Sequence, residues 1–366
     1  MRILRSGRVA GLTMALGATG ATILAARRII PAAETLLSDT GPTMPLPAPK
    51  TNAYVDESGR SLVAVTTAPD PAEGVRRAIE VLGGLERLNI AGRRVLIKPD
   101  AASGIPAPAS TSPGALEAII QLVQDHGARE VIVGEMAGPP WHDTTARVFR
   151  SGLLDVIENN GAHFVDFRYD RWVTVPLGDR ARAIKAVSIP QSVYEADVIV
   201  GVPVLPPHRP ESVAPSLALW SGIVHPRTQV AARAARDRGR AAAEMNLAFR
   251  PDLLVLDGGS AQRYTTHTGL FLASGDRIAL DVCGAAVLAT LDRGSPRRRA
   301  GLWEQEQIRA AIALGLGAPE PGQVKLVPDP KRADDPLLAR WLDDIQRLTG
   351  VAAGRGGLSS DRRYRR

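Results

Sequence analysis

Five residues of this chain have types and positions suited to chemistry: Lys98, Asp100, Glu135, His208 and Asp257. Each stands at or just beyond the end of a short apolar run, in VLIKPD, VIVGE, DVIVGVPVLPPH and DLLVLD. In an open α/β sheet, ligands bind beyond the carboxyl ends of the strands, so parallel neighbouring strands would gather these groups on one rim. A lysine there neutralises an anion, carboxylates hold a metal or move protons, and a histidine serves as ligand or acid–base. The candidates divide into catalytic (Lys98, Glu135, His208), metal-ligating (Asp100, His208) and cofactor-binding (Ser112, Asp257, Asp276). The plainer alternative is that these are solvated charges at points where strands return to water.

The elements that must position them are readable. Val95, Leu96 and Ile97 form an apolar β run closed by Lys98-Pro99-Asp100. The residue before a proline is driven out of the α region, and proline donates nothing to a ladder, so the strand should end there. A loop rich in Ala, Ser, Gly and Pro follows, ending in Thr111-Ser112-Pro113. Thr111 or Ser112 suits the N-cap of a helix running to about His126, a turn that resembles an anion-binding helix start. Further strands are expected at 61–67, 130–134, 163–167, 197–203 and 252–257, the last stopped by Gly258-Gly259. A β excursion is expected at 172–176 and 186–189, and a short apolar segment at 270–274. Helices are expected at 71–82, 144–150, 153–160, as one long unit at 228–249, and at 276–291, 304–314 and 336–348. Asp276 also suits an N-cap, a sufficient structural reason for it. Strands that are continuous apolar runs, alternating with helices, predict an α/β fold with a mostly parallel sheet covered on both faces.

Several chemistries lack their motifs. GxGxxG and GxxxxGK[ST] are missing, so neither a dinucleotide nor a P-loop site is indicated. HExxH is missing, no two of the six histidines have i,i+4 spacing, and no GxSxG elbow is present. The single cysteine, Cys283, lies in an apolar helical stretch; one thiol excludes a four-cysteine iron–sulfur cluster within this chain.

The net charge of +7 belongs to the ends. Residues 1–30 carry five arginines and no acid, and residues 355–366 carry five arginines against Asp361, which leaves the body at −2. No nucleic-acid partner is expected from such a body. Arg2, Arg5 and Arg8 precede the uncharged Val9 to Ala26, and Arg27-Arg28 close it. This reads as an export signal or a membrane anchor, so the protein is expected at the cell membrane or exported. The domains are accordingly 1–30, signal peptide or anchor; 31–55, a Pro-rich spacer; 56–320, the α/β domain; and 321–366, an extension with a basic tail.

The ordered motifs VLIKPD (95–100), Thr111-Ser112-Pro113, Val133-Gly134-Glu135, ADVIVGVP (196–203), Asp257-Gly258, SGDRIALD (274–281) and Gly315-Leu316-Gly317 resemble the bacterial and archaeal family called domain of unknown function 362. The resemblance spans about residues 60 to 320 and implies an α/β fold, with an export signal in some members and a ferredoxin-like iron–sulfur domain in others. It also implies a distant similarity to nickel-dependent lactate racemases, and with it a metal or organometallic cofactor. This chain departs from the pattern. It has Asp100 where the family has Asn, Pro206 where the family has a Lys two residues before the histidine, and no Lys-Asn pair near Trp220-Ser221.

The sequence therefore predicts a membrane-tethered or exported protein that binds a divalent metal or an anionic small molecule at the strand-end rim. A non-catalytic binding or scaffold protein with a degenerate site is the alternative. Electron transfer would need an external redox protein.

Overall fold

A computed structural model describes residues 38–137, 142–205, 214–261, 266–292 and 301–354. The apolar segment Val9 to Ala26, the loop carrying His208 and the basic C-terminal tail lie outside the described residues. Among the described residues no helix is long and apolar enough to cross a membrane.

Eleven strands form the frame: β1 Ser61–Thr67, β2 Arg94–Pro99, β3 Glu130–Glu135, β4 His163–Asp166, β5 Trp172–Pro176, β6 Ala186–Pro190, β7 Val198–Val202, β8 Leu253–Ala261, β9 Thr266–Ser274, β10 Val324–Pro328 and β11 Ala352–Ala353. Nine make one sheet in the order β11-β10-β1-β9-β8-β7-β2-β3-β4, and β5 and β6 pair as a separate ribbon. Every pair in the large sheet is parallel except the two made by β9, which runs antiparallel to β1 and to β8. The mostly parallel α/β expectation thus holds.

Alternate residues of the strands feed two cores. Val95, Ile97, Val131 and Val133 face helices α1 (Pro71–Leu82) and α2 (Pro113–Asp125). Leu96, Ile132, Ile199 and Leu256 face the opposite layer, which holds α3 (Arg277–Leu291) and α4 (Pro336–Thr349). The buried strands are apolar on both faces because both faces are covered.

Three expectations are corrected. Residues 324–353 are no extension, because β10 pairs in parallel with β1 and β11 with β10. The proline-rich segment is no free spacer from residue 38 onward. Thr43 bridges to Thr174, Tyr54 is fully buried, and the Lys50 ammonium lies 2.8 Å from Asp252. The single helix at 228–249 is two, Pro226–Ala234 and Arg238–Met245. Ala235 turns extended, and the Asp237 side chain caps a new start by accepting from Arg240 N. In addition, β8 does not stop at Gly258-Gly259 but continues to Ala261 through a register shift.

Candidate functional site

The sheet brings Lys98, Asp100, Glu135, Ser112 and Asp257 to one rim, the carboxyl ends of β2, β3, β7 and β8. β2 and β7 are neighbours, but the chain leaving β2 crosses to β3 on one side while the chain leaving β7 crosses to β8 on the other. This is a topological switch point, where α/β sheets open a crevice.

Lys98 is 1 % exposed and Glu135 is fully buried. The Lys98 Nζ lies 2.8 Å from Glu135 Oε1 and donates to the Pro99 carbonyl at 2.7 Å. Glu135 Oε2 accepts from Ala101 N at 2.9 Å and Oε1 from Met136 N at 2.8 Å. Burial pushes the Glu135 carboxyl above the ordinary carboxylate range; the Lys98 charge opposes that rise and the Asp100 charge adds to it. The turn Trp220–Ile223 covers the pair. A Cβ on Gly222 would stand 2.9 Å from Glu135 Oε1 and 3.2 Å from Lys98 Cε, so the turn closes this tightly because residue 222 has no side chain.

Thr111 ties the switch point together. Its hydroxyl accepts from Asp100 N at 2.8 Å and donates to the Val202 carbonyl, also at 2.8 Å, while its N–H donates to the Asp100 carbonyl. Next to it, Ser112 N donates to Asp257 Oδ2 at 2.8 Å, and the Ser112 hydroxyl caps α2 by accepting from Ala115 N. Burial pushes the Asp257 carboxyl up, against the hydrogen bonds from Ser112 and from Gly259 N that favour its charged form. The sequence offered Thr111 only as a cap; its linking role needed the β2–β7 adjacency.

Asp276 is not on this rim. It follows the carboxyl end of the antiparallel β9, so it lies at the amino end of the other strands. Its Oδ1 caps α3 through Ile278 N and Ala279 N, and its Oδ2 accepts from the Ser61 hydroxyl at 2.7 Å and from Ala318 N at 2.8 Å. A cavity of about 220 Å³ opens there, lined by Lys50, Arg180, Arg250, Asp252, Asp276 and Arg277 among others. Its arginines come from three separate segments; Arg277 lies in the SGDRIALD run, while Arg180 and Arg250 stand in no motif.

Cys283 is buried in α3, and burial pushes its thiol up to about 12, so it is no nucleophile. His225 is also fully buried. Its Nδ1 accepts from Arg227 N at 3.1 Å, so Nε2 carries the proton and donates to the Ser38 hydroxyl at 2.8 Å. A histidine so oriented anchors Ser38 and does not take its proton. Among the described residues no group of three or more His, Cys, Asp or Glu side chains is arranged to hold a metal ion.

Taken together, the molecule is an α/β protein with a buried polar cluster at the switch point of a mixed sheet. The family described as "Domain of unknown function (DUF362)" matches residues 95–286, which is more than half of the chain, and the chain belongs to that family. It is 26 % identical over 246 residues to the thylakoid-associated protein sll1697 of Synechocystis, an alignment covering 62 % of this chain and 74 % of that one. Among solved structures, the lactate racemase apoprotein of Thermoanaerobacterium thermosaccharolyticum aligns over 83 % of this chain and 88 % of its own, with a TM-score of 0.37 and 13 % identity.

Proposed function

We propose that the carboxyl-end rim binds a small anionic molecule and couples that binding to uptake of a proton by Glu135. The observation behind this reading is a buried carboxyl, raised above its ordinary range, that shares the buried ammonium of Lys98 at a topological switch point. When an anion enters, Glu135 takes a proton and releases its hold on Lys98, which then faces the incoming charge. Asp100, whose charge already disfavours ionised Glu135, helps that proton arrive. The divalent-metal reading rests on Asp100 and His208, and the latter lies outside the described residues.

Acetate, titrated into the full chain by calorimetry at pH 6 and pH 8, tests the reading. Tighter binding at pH 6 is expected, with the pH dependence lost in Glu135→Gln and binding lost in Lys98→Met. A Glu135→Gln variant that keeps the full pH dependence, or a Lys98→Met variant that binds unchanged, would sink it.

A second reading, a non-catalytic protein whose site is now structural, draws on the way the pair is answered internally by Pro99 O, Ala101 N and Met136 N. It expects no acetate binding at either pH.

We also infer that the protein is associated with a membrane, through the arginine-flanked run Val9 to Ala26. The name of the thylakoid-associated relative is consistent with this. Fractionation in the native host should place the full chain with membranes after a carbonate wash, and a chain beginning at Ser38 in the soluble fraction. A full chain that washes off under the same treatment would count against the anchor.

A further inference from the structure

We propose that the cavity at the amino end of the sheet is a second, separate binding site, and that its ligand carries a phosphate group. The cavity lies against the starts of β1 and β8 and the end of β9, on the rim opposite Lys98 and Glu135.

Charge carries the argument. Lys50, Arg180, Arg250 and Arg277 line the cavity, against Asp252 and Asp276. Both carboxylates are already committed. Asp252 holds Lys50 at 2.8 Å and accepts from Ile199 N at 2.8 Å. Asp276 spends its two oxygens on three backbone N–H groups and the Ser61 hydroxyl. The three guanidiniums are left to backbone carbonyls. Arg277 donates to Asn246 O at 2.9 Å, Arg180 to Leu314 O at 2.6 Å, and Arg250 only weakly, to Phe249 O at 3.5 Å. Among the described residues none of the three has a carboxylate within salt-bridge distance. A guanidinium carries five N–H donors in a planar fork, and each of these three gives one hydrogen bond to the described chain.

Arg277 is only 5 % exposed, and its guanidinium lies 5.8 Å over the Phe249 ring. Burial and the neighbouring Arg250 charge pull its pKa down to about 9, partly offset by Asp276 and Asp281. Burial and Arg180 act on Arg250 in the same direction. A buried cation among like charges costs stability unless something answers it, and Asp276 and Asp281 answer Arg277 only in part, with no ion pair to it among the described residues. The lining holds two positive charges in excess, which a phosphate dianion would balance. Arginine forks match phosphate oxygens in pairs. At about 220 Å³ the cavity is smaller than the ~300–1,000 Å³ of drug-sized sites, so the ligand is compact. The wall also depends on a close approach: a Cβ on Gly317 would stand 2.2 Å from Asp276 Oδ1.

The test uses the full chain with inorganic phosphate, glycerol phosphate, and vesicles containing a phosphate-headgroup lipid. Saturable phosphate binding near one equivalent is expected. Arg250→Gln and the exposed Arg180→Gln should each weaken it at least about tenfold, while Arg340→Gln, an exposed arginine on α4 away from the cavity, leaves it unchanged. Circular dichroism confirms that each variant is folded, and Arg180→Gln decides the matter if Arg250→Gln is not. Vesicle binding without binding of the soluble phosphates, lost in Arg180→Gln, assigns the phosphate group to a lipid and keeps the proposal. Binding of no probe, binding undiminished in both arginine variants, or equal loss of phosphate binding in the control Arg340→Gln would each overturn it.

Discussion

The two rims of the sheet solve the problem of buried charge in opposite ways. At the carboxyl end, Lys98 and Glu135 answer each other and are capped by Pro99 O, Ala101 N and Met136 N, under a glycine turn that leaves no slack. At the amino end, Arg180, Arg250 and Arg277 have backbone carbonyls and one another. The first arrangement is closed in charge and needs its partners for stability. The second is open in charge: its four cations outnumber Asp252 and Asp276 by two, and it gains by taking in an anion. Closure therefore decides which charges meet a ligand directly and which must first be released by a proton.

The largest expected effect tests closure directly. Lys98→Met leaves Glu135 buried without its cation and should cost about 3–5 kcal/mol in urea unfolding. Lys98→Met with Glu135→Leu should recover most of that loss, because an apolar pair of similar volume is often neutral in a buried ion-pair site. A single variant that costs under ~1 kcal/mol would mean that the pair is not closed.

Acid should loosen the cover of the same rim. His225 directly follows the Trp220–Ile223 turn and Val224, donates its backbone N–H to Ser188 O, and packs edge-on against Trp172 at 4.6 Å. Burial, then the Arg227 charge, holds its pKa down to about 4, against ~6.5 in an unfolded chain. The unfolded chain thus takes up a proton that the folded one refuses. This contribution is complete above about pH 6.5 and lost progressively as pH falls toward 4, by about 3 kcal/mol at most. Stability measured against pH should show that decline, and His225→Gln should flatten it.

Gly222→Ala comes next. The added methyl meets Glu135 Oε1 at 2.9 Å, and the strain of forcing the turn away should cost about 1–3 kcal/mol in thermal or urea unfolding. A neutral result would show that the turn yields without disturbing the pair.

Much of the carboxyl-end rim was legible because strand ends are local events. VLIKPD announces both an apolar run and its stop, and Ser112-Pro113 announces a helix start. The cavity was not legible, because Arg180, Arg250 and Arg277 meet only after β9 reverses direction and β8 runs beyond Gly258-Gly259. The broken helix near residue 235 is a tertiary outcome too. Alanine and arginine favour helix throughout that stretch, but the Glu244 carboxylate must reach Arg182 N, Ala183 N and Ile184 N. β10 and β11 are short, and a parallel pairing to β1 across more than two hundred residues leaves no local mark.

The smallest stability effect is the most telling, because its sign separates the two rims. Arg250→Gln removes a half-buried charge that faces Arg180 and Arg277, with one hydrogen bond at 3.5 Å to lose. At the closed rim, removing a charge exposes its partner. Here it relieves repulsion, so stability should stay within about 0.5 kcal/mol of the parent or rise. Added sodium chloride should narrow the difference, since screening does for the parent what the substitution does for the variant. If Arg250→Gln instead destabilises by 2 kcal/mol or more on the scale of buried-pair loss, a carboxylate already answers Arg250 and the amino-end rim is as closed as the other.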